Sequence, residues 1–169
     1  MNMNADFGEQ VQVVPGFGPV DMSTGANAGD WVSMKNYERV TVCFYKGAGT
    51  AGDDPTLLIQ QATAVAGTGA KDLVAVDKVY VKQGTLANIG TFTITTQTAA
   101  TDYTDATSAE AAALWMIDIQ AEDLDVDNGF DCIQASVADV GVNAQLGAMW
   151  YNCWGARFGS NALLSAIAD

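Results

Sequence analysis

The sequence predicts an all-β protein: an antiparallel β-sandwich or jelly-roll-like domain of about eight strands, with an extended N-terminal arm and a short C-terminal helix. Three observations carry that expectation. Apolar residues recur at a spacing of two, as on a strand, where successive side chains point to opposite faces. These segments follow one another at intervals of roughly 8 to 15 residues, separated by glycine, aspartate and threonine. Nothing between them has the length and periodicity of a crossover helix, so there is no βαβ rhythm.

Residues 1–30 hold two of the three prolines, Pro15 and Pro19, in the frame VVPGFGPVDMSTGANAG. Proline fixes φ and has no N–H for a ladder, so this segment reads as an extended arm or edge segment. Residues 31–34 and 39–46 are two short strands around a turn at 35–37. In the second, Val40, Val42 and Phe44 share one parity and Thr41, Cys43 and Tyr45 the other, a β-branched and aromatic composition that suits a strand. GAGTAGDD is a loop, residues 57–63 are a strand, and AVAGTGA is a glycine-rich connection. Residues 78–83 (KVYVKQ) and 91–95 (TFTIT) alternate as half-exposed strands do. A polar loop over 97–105 leads to Thr107, which with Glu110 has capping-box spacing and predicts one or two helical turns.

The stretch from Ala113 to Phe158 concentrates the large residues, with three of the four tryptophans and two of the three cysteines. Ala113, Trp115, Ile117 and Ile119 lie on one parity of a strand; Leu114, Met116, Asp118 and Gln120 lie on the other. The run AEDLDVDNG is too charged to bury and reads as a surface turn. Residues 130–137 form a short, mostly apolar strand, and residues 143–158 a long one, in which Gly147 marks a bulge or a close backbone approach. Residues 161–168 suit a short amphipathic helix. The expected organisation is an arm over 1–30, a β domain over 31–158 and a tail over 159–169.

Charge narrows the function classes. The chain of 169 residues has a formal net charge of −13, and between Lys82 and Arg157 there are ten acids and no base. Such a surface repels phosphate backbones, so no direct nucleic-acid partner is expected. No apolar run reaches membrane-spanning length, and residues 1–10 are polar and acidic, unlike a secretory signal; neither membrane insertion nor export by that route is expected. Cys43, Cys132 and Cys153 have no metal-binding spacing and sit in apolar strands, which points to reduced core residues; a Cys132 to Cys153 bridge stays open.

Candidate chemistry is sparse, and no enzyme activity or cofactor is expected. Histidine is absent, which excludes Ser-His-Asp and Cys-His nucleophilic systems and every histidine-containing zinc site. Gly47, Gly49 and Gly52 in GAGTAG match a phosphate loop in composition only, with no lysine-serine pair after them. Asp123, Asp125 and Asp127 alternate as calcium ligands do. The sixth position is Asn128 rather than glycine and the twelfth is Gln134 rather than glutamate, so a solvated acidic turn is the better reading. Trp115, Trp150 and Trp154 could line a carbohydrate platform, but their strand parity favours a core or subunit interface.

Two long strings, WVSMKNYERVTVCFYKGAGTAGDDPTLLIQQATAVAGTGAK and YTDATSAEAAALWMIDIQAEDLDVDNGFDCIQASVADVGVNAQLGAMWYNCWGARF, span most of residues 31–158. They resemble a family of small structural proteins encoded by tailed bacteriophages and prophages. The resemblance implies a virion component made in the host cytoplasm, most plausibly a decoration or cement protein on the outer capsid surface. It implies the major capsid protein as partner and a homo-oligomer, with a trimer favoured. A head-tail connector or tail component, or a carbohydrate- or calcium-binding adhesion module, are the alternatives. The resemblance assigns no residue a role. The residues expected to make capsid or subunit contacts are Pro15, Phe17, Pro19 and Val20 of the arm, with Trp150, Tyr151 and Trp154.

Overall fold

Residues rich in valine, isoleucine, threonine and aromatics pack well on a pleated surface, and about half of the described residues take that form, with little helix. The computed structural model describes residues 5–84, 91–106, 111–158 and 163–168. After a one-turn helix, α1 (Phe7–Gln10), come β1 (Val11–Asp21), β2 (Asn27–Ala28), β3 (Val32–Ser33), β4 (Tyr37–Lys46), β5 (Thr56–Ala62), β6 (Lys71–Asp72), β7 (Val76–Gln83), β8 (Thr93–Ala100), β9 (Asp102–Thr104), β10 (Ala113–Gln120), β11 (Cys132–Val137) and β12 (Leu146–Ala156). Eight of these twelve strands have six residues or more. The other four are pairings of two or three residues, too short to leave an alternation in the sequence.

All pairings are antiparallel, in two sheets. One runs β1-β12-β4-β10-β7-β8; the other runs β2-β11-β5-β6, with β3 also on β11 and β9 on β5. The inward parity of β4 and β10 is the one the sequence marks, with Val40, Val42 and Phe44 and with Trp115, Ile117 and Ile119 buried. In β12 the inward side is that of Met149 and Tyr151, opposite to the apolar alternation of Leu146, Ala148 and Trp150. The inward residues of the three strands share one core with Leu57 and Ile59 of β5 and Ile133, Ala135 and Val137 of β11. Trp115 is its centre, 5.2 Å from the Phe44 ring and 4.9 Å, edge on, from Tyr103.

Three expectations change. Residues 1–30 are not an arm beyond the body over their described part: β1 pairs with β12 from Val11↔Trp154 to Asp21↔Leu146, and Val11, Val14 and Met22 are buried. The prolines are tolerated because β1 is an edge strand whose register slips between Pro15 and Phe17 and again between Phe17 and Val20. The strand expected over 91–95 begins at Thr93 and continues to Ala100, through residues assigned to a loop. Being an edge, it needs no apolar alternation. The tail shows no helix over 163–168. It is tied down instead, with the Tyr37 hydroxyl donating to the Leu164 carbonyl and the Ser33 N–H donating to the Ala166 carbonyl. The helical turn expected around Thr107 and Glu110 lies outside the described residues.

One buried hydrogen bond joins the sheets. On one side of β11, β3 pairs at Cys132 and Ile133 and β2 at Ser136 and Val137, leaving an interruption at Gln134 and Ala135. The Gly29 N–H donates to the Ala135 carbonyl at 2.9 Å and the Gln134 side-chain amide donates to the Gly29 carbonyl at 2.6 Å. The remaining donor, the Ala135 N–H, goes to the Tyr151 hydroxyl of the opposite sheet at 2.9 Å. Gly29 has to be glycine: a Cβ there would run into the Tyr151 hydroxyl and come within 2.6 Å of the Met149 methyl. Gly147 is a second close approach, lying under the Met22 side chain.

Tyr151→Phe keeps the ring and removes only the acceptor, stranding a buried N–H. The expected loss is about 1–3 kcal/mol in urea unfolding with an unchanged m-value. A loss below about 0.5 kcal/mol would show that the bond does not hold the sheets together.

Candidate contact surface

A strand in the middle of a sheet has two faces, and the outward face of the larger sheet is unusually apolar. Pairing brings Pro15, Trp150, Cys43, Met116, Tyr80 and Ile94 into one row crossing all six strands, each residue opposite the next. A parallel row carries Ala148, Tyr45 and Leu114 and reaches Lys82. Cys43 is buried; Trp150, Met116, Tyr80, Tyr45 and Leu114 are half-buried, while Val13 is 45% and Ile94 56% exposed. Beyond Ile94, Phe92 packs edge on against Tyr80, with the Lys82 ammonium 4.4 Å from its ring centroid.

On the other flank the face turns polar. Asn152, Thr41 and Asp118 lie opposite one another on β12, β4 and β10. The Trp154 indole N–H donates to Thr41 Oγ1 at 3.1 Å, and the Thr41 hydroxyl donates to Asp118. Arg39 lies over the Trp154 ring at 5.3 Å. These contacts hold the side chains that edge the apolar rows, so the face is set in shape before anything touches it.

The expected contact residues divide between the two sides of the sheet. Pro15, Trp150 and Trp154 reach the outward face, and Pro19 is exposed on β1. Phe17 and Val20 pack against the core, Phe17 with its ring 6.4 Å from Phe44. Tyr151 is fully buried on the inner face, where burial pushes its hydroxyl well above the ordinary tyrosine range. Met116, Tyr80, Leu114 and Ile94 were not singled out from sequence. The signal for two of them was present in β10, where both parities are apolar at the N-terminal end.

The acidic turn does not converge on a cation. Asp123 accepts from the Gln120 N–H at 2.8 Å, and Asp125 accepts from Lys71 and, at 2.7 Å, from the Asn128 side-chain amide. Among the described residues no three acidic, cysteine or histidine side chains are grouped to hold a metal ion. Clefts of about 360 and 400 Å³ meet at Arg39 and Gln120 and are lined by charges of both signs, including Lys78, Asp118 and Arg157. Neither lining includes a serine, threonine or cysteine to act as a nucleophile.

The three cysteines are free and buried, with Cys132 on one sheet and Cys43 and Cys153 on the other. Burial pushes the Cys43 and Cys153 thiols up to about 12, with the Asp118 carboxylate adding to the effect at Cys43. Thiolates are therefore scarce at neutral pH at these two positions, which behave as small apolar side chains, while the buried Cys132 thiol donates to Asp131 at 3.2 Å. Among the described residues no helix is long and apolar enough to cross a membrane. No family model matches the chain, and no curated protein matches it significantly.

Two carboxylates make acid sensitivity predictable. Asp21 is held below its ordinary value by the Ser23 hydroxyl and N–H and the Gln145 N–H, and Asp125 by Lys71 and Asn128. Each therefore binds its proton less tightly when folded than when unfolded. Each contributes stability above the ordinary carboxylate range, lost as pH falls through the lowered folded value. Melting temperature should fall on acidification below about pH 4, and Asp21→Asn should flatten that fall while lowering stability at pH 7. An acid limb unchanged by Asp21→Asn would contradict the assignment. Millimolar calcium should leave the melting temperature unchanged at pH 7.

Proposed function

We propose that this chain is a non-enzymatic structural protein of a tailed-phage virion, binding the outside of the capsid shell as a decoration or cement protein. In this reading the two sheets form a β-sandwich of jelly-roll type, the partner is the major capsid protein, and the chain works as a homo-oligomer, with a trimer favoured. The observation that carries the proposal is the apolar row from Pro15 through Trp150, Met116 and Tyr80 to Ile94. It is a broad, shallow face fixed by β-pairing, suited to a flat macromolecular partner and poorly suited to enclosing a small substrate.

The physical logic is additive. A protein that binds only the assembled shell stabilises it by mass action, and repetition over symmetric positions multiplies a modest contact many times. Aromatic and methionine side chains at the centre of a patch with a polar rim are the composition of an energetically productive interface. The charge of −13 favours the outer surface, because packaged DNA would repel the chain on the inside. The lack of histidine in the chain, and of serine, threonine and cysteine in the linings of these two clefts, is in keeping with a non-enzymatic role.

Attachment is best tested by point substitution. Because β1 is a strand of the larger sheet, deleting residues 1–20 would strip β12 of its neighbour and confuse folding with binding. Met116→Lys and Trp150→Glu place charges on the outward face and should reduce occupancy on purified shells about tenfold or more, with melting temperature lowered by only a few degrees. Full occupancy by both variants would overturn the proposed surface. Counting copies per particle by quantitative mass spectrometry tests the role itself. Hundreds of copies in a simple ratio to the major capsid protein fit decoration; about a dozen would point instead to a ring at one vertex, and none to a role outside the virion.

A further inference from the structure

We infer that β8 is a pairing edge for a second copy of this chain, the two β8 strands meeting antiparallel about a two-fold axis. The strand ends the larger sheet, and among the described residues its backbone ladder runs only to β7. An edge of this kind presents unpaired N–H and C=O groups that another strand can use.

The remaining edges are protected against such pairing. At the opposite end of the same sheet, β1 carries Pro15 and Pro19 and two slips of register. The smaller sheet ends in β2 and β6, of two residues each, and its side pairings β3 and β9 are two and three residues long. By contrast β8 is eight residues long and reads TITTQTAA, with no proline and no charge. Charged residues, which commonly blunt exposed edges, are missing from the whole of residues 83–101.

That neutral run also identifies the occupant. Two copies that each carry −13 repel wherever their acidic surfaces approach, and β8 is the long edge at which they meet without opposing charges. An antiparallel edge is self-complementary under a two-fold axis, since each strand offers the other the same alternation of donors and acceptors. The exposed Thr93, Thr96 and Thr98 would supply cross-strand threonine pairs at the seam. With the axis perpendicular to the sheet, the two sheets become one continuous sheet with both outward faces on the same side. The inference rests neither on shell binding nor on the trimer favoured there: it concerns the free chain, which pairs two-fold through β8 whatever assembly a shell holds.

Sedimentation velocity of the full chain, up to concentrations on the order of 100 µM, tests it. The expected result is a monomer-dimer equilibrium that shifts towards dimer as salt is raised, because salt screens repulsion between like-charged copies. Thr96→Glu stands opposite Lys78 on its own β7, so the monomer tolerates it, while the dimer gains like charges at the seam. It and Thr98→Lys should each weaken association about tenfold or more, whereas Thr96→Val retains it. A chain monomeric at every concentration and salt would overturn the inference. So would a dimer or trimer that Thr96→Glu and Thr98→Lys, both still folded by circular dichroism, leave unchanged.

Discussion

The fold turns on the contact between the Tyr151 hydroxyl and the Ala135 N–H. Apolar burial drives the two sheets together but is not directional, and by itself it permits many relative placements. A buried N–H is less permissive, because leaving it unpaired is costly. The interruption between β2 and β3 creates that demand, and a side chain from the opposite sheet meets it. Gly29 leaves the space, Met149 lines it, and β12 is thereby fixed over β11. Once Tyr151 is committed inward, Trp150 and Trp154 must face outward, so an internal hydrogen bond determines what the surface displays.

Much of this was legible in the sequence. The parities of β4 and β10 name the core correctly, because a central strand with one face in the core leaves a strict alternation. In β12 the apolar alternation of Leu146, Ala148 and Trp150 lies on the outward side, and Met149 and Tyr151 carry the core. The edges were harder to read. Thr93 to Ala100 alternates too weakly to separate strand from loop, since both of its faces and one of its edges meet water. The proline frame of β1 fits an arm and a bulged edge strand equally well. Tail residues read as an amphipathic helix are held instead by single hydrogen bonds from the Tyr37 hydroxyl and the Ser33 N–H to their carbonyls, which no periodicity encodes.

The candidate site shows the same division. Pro15, Trp150 and Trp154 could be picked out as large or rigid residues on strands, but not as neighbours of Met116, Tyr80 and Ile94. That relation depends on the register of five strand pairings, several between segments distant in sequence. The alternating aspartates, read from sequence as a solvated acidic turn, needed the fold to show what their carboxylates bind. Spacing suggests ligands, whereas in the fold Asp123 accepts from a backbone N–H and Asp125 from Lys71 and Asn128.

Two physical demands meet on this chain: strong negative charge, which keeps copies apart, and an apolar outward face, which gains by being covered. They are compatible if the charge faces solvent and the apolar rows face a partner. The most direct measurement is hydroxyl-radical labelling of Trp150, Met116 and Tyr80 in the free protein and in purified particles. Strong protection of these three in the particle, with Phe130 near Lys71 equally reactive in both states, is the expected result. Equal labelling of the three in both states would contradict the account, because the apolar face would then have no partner.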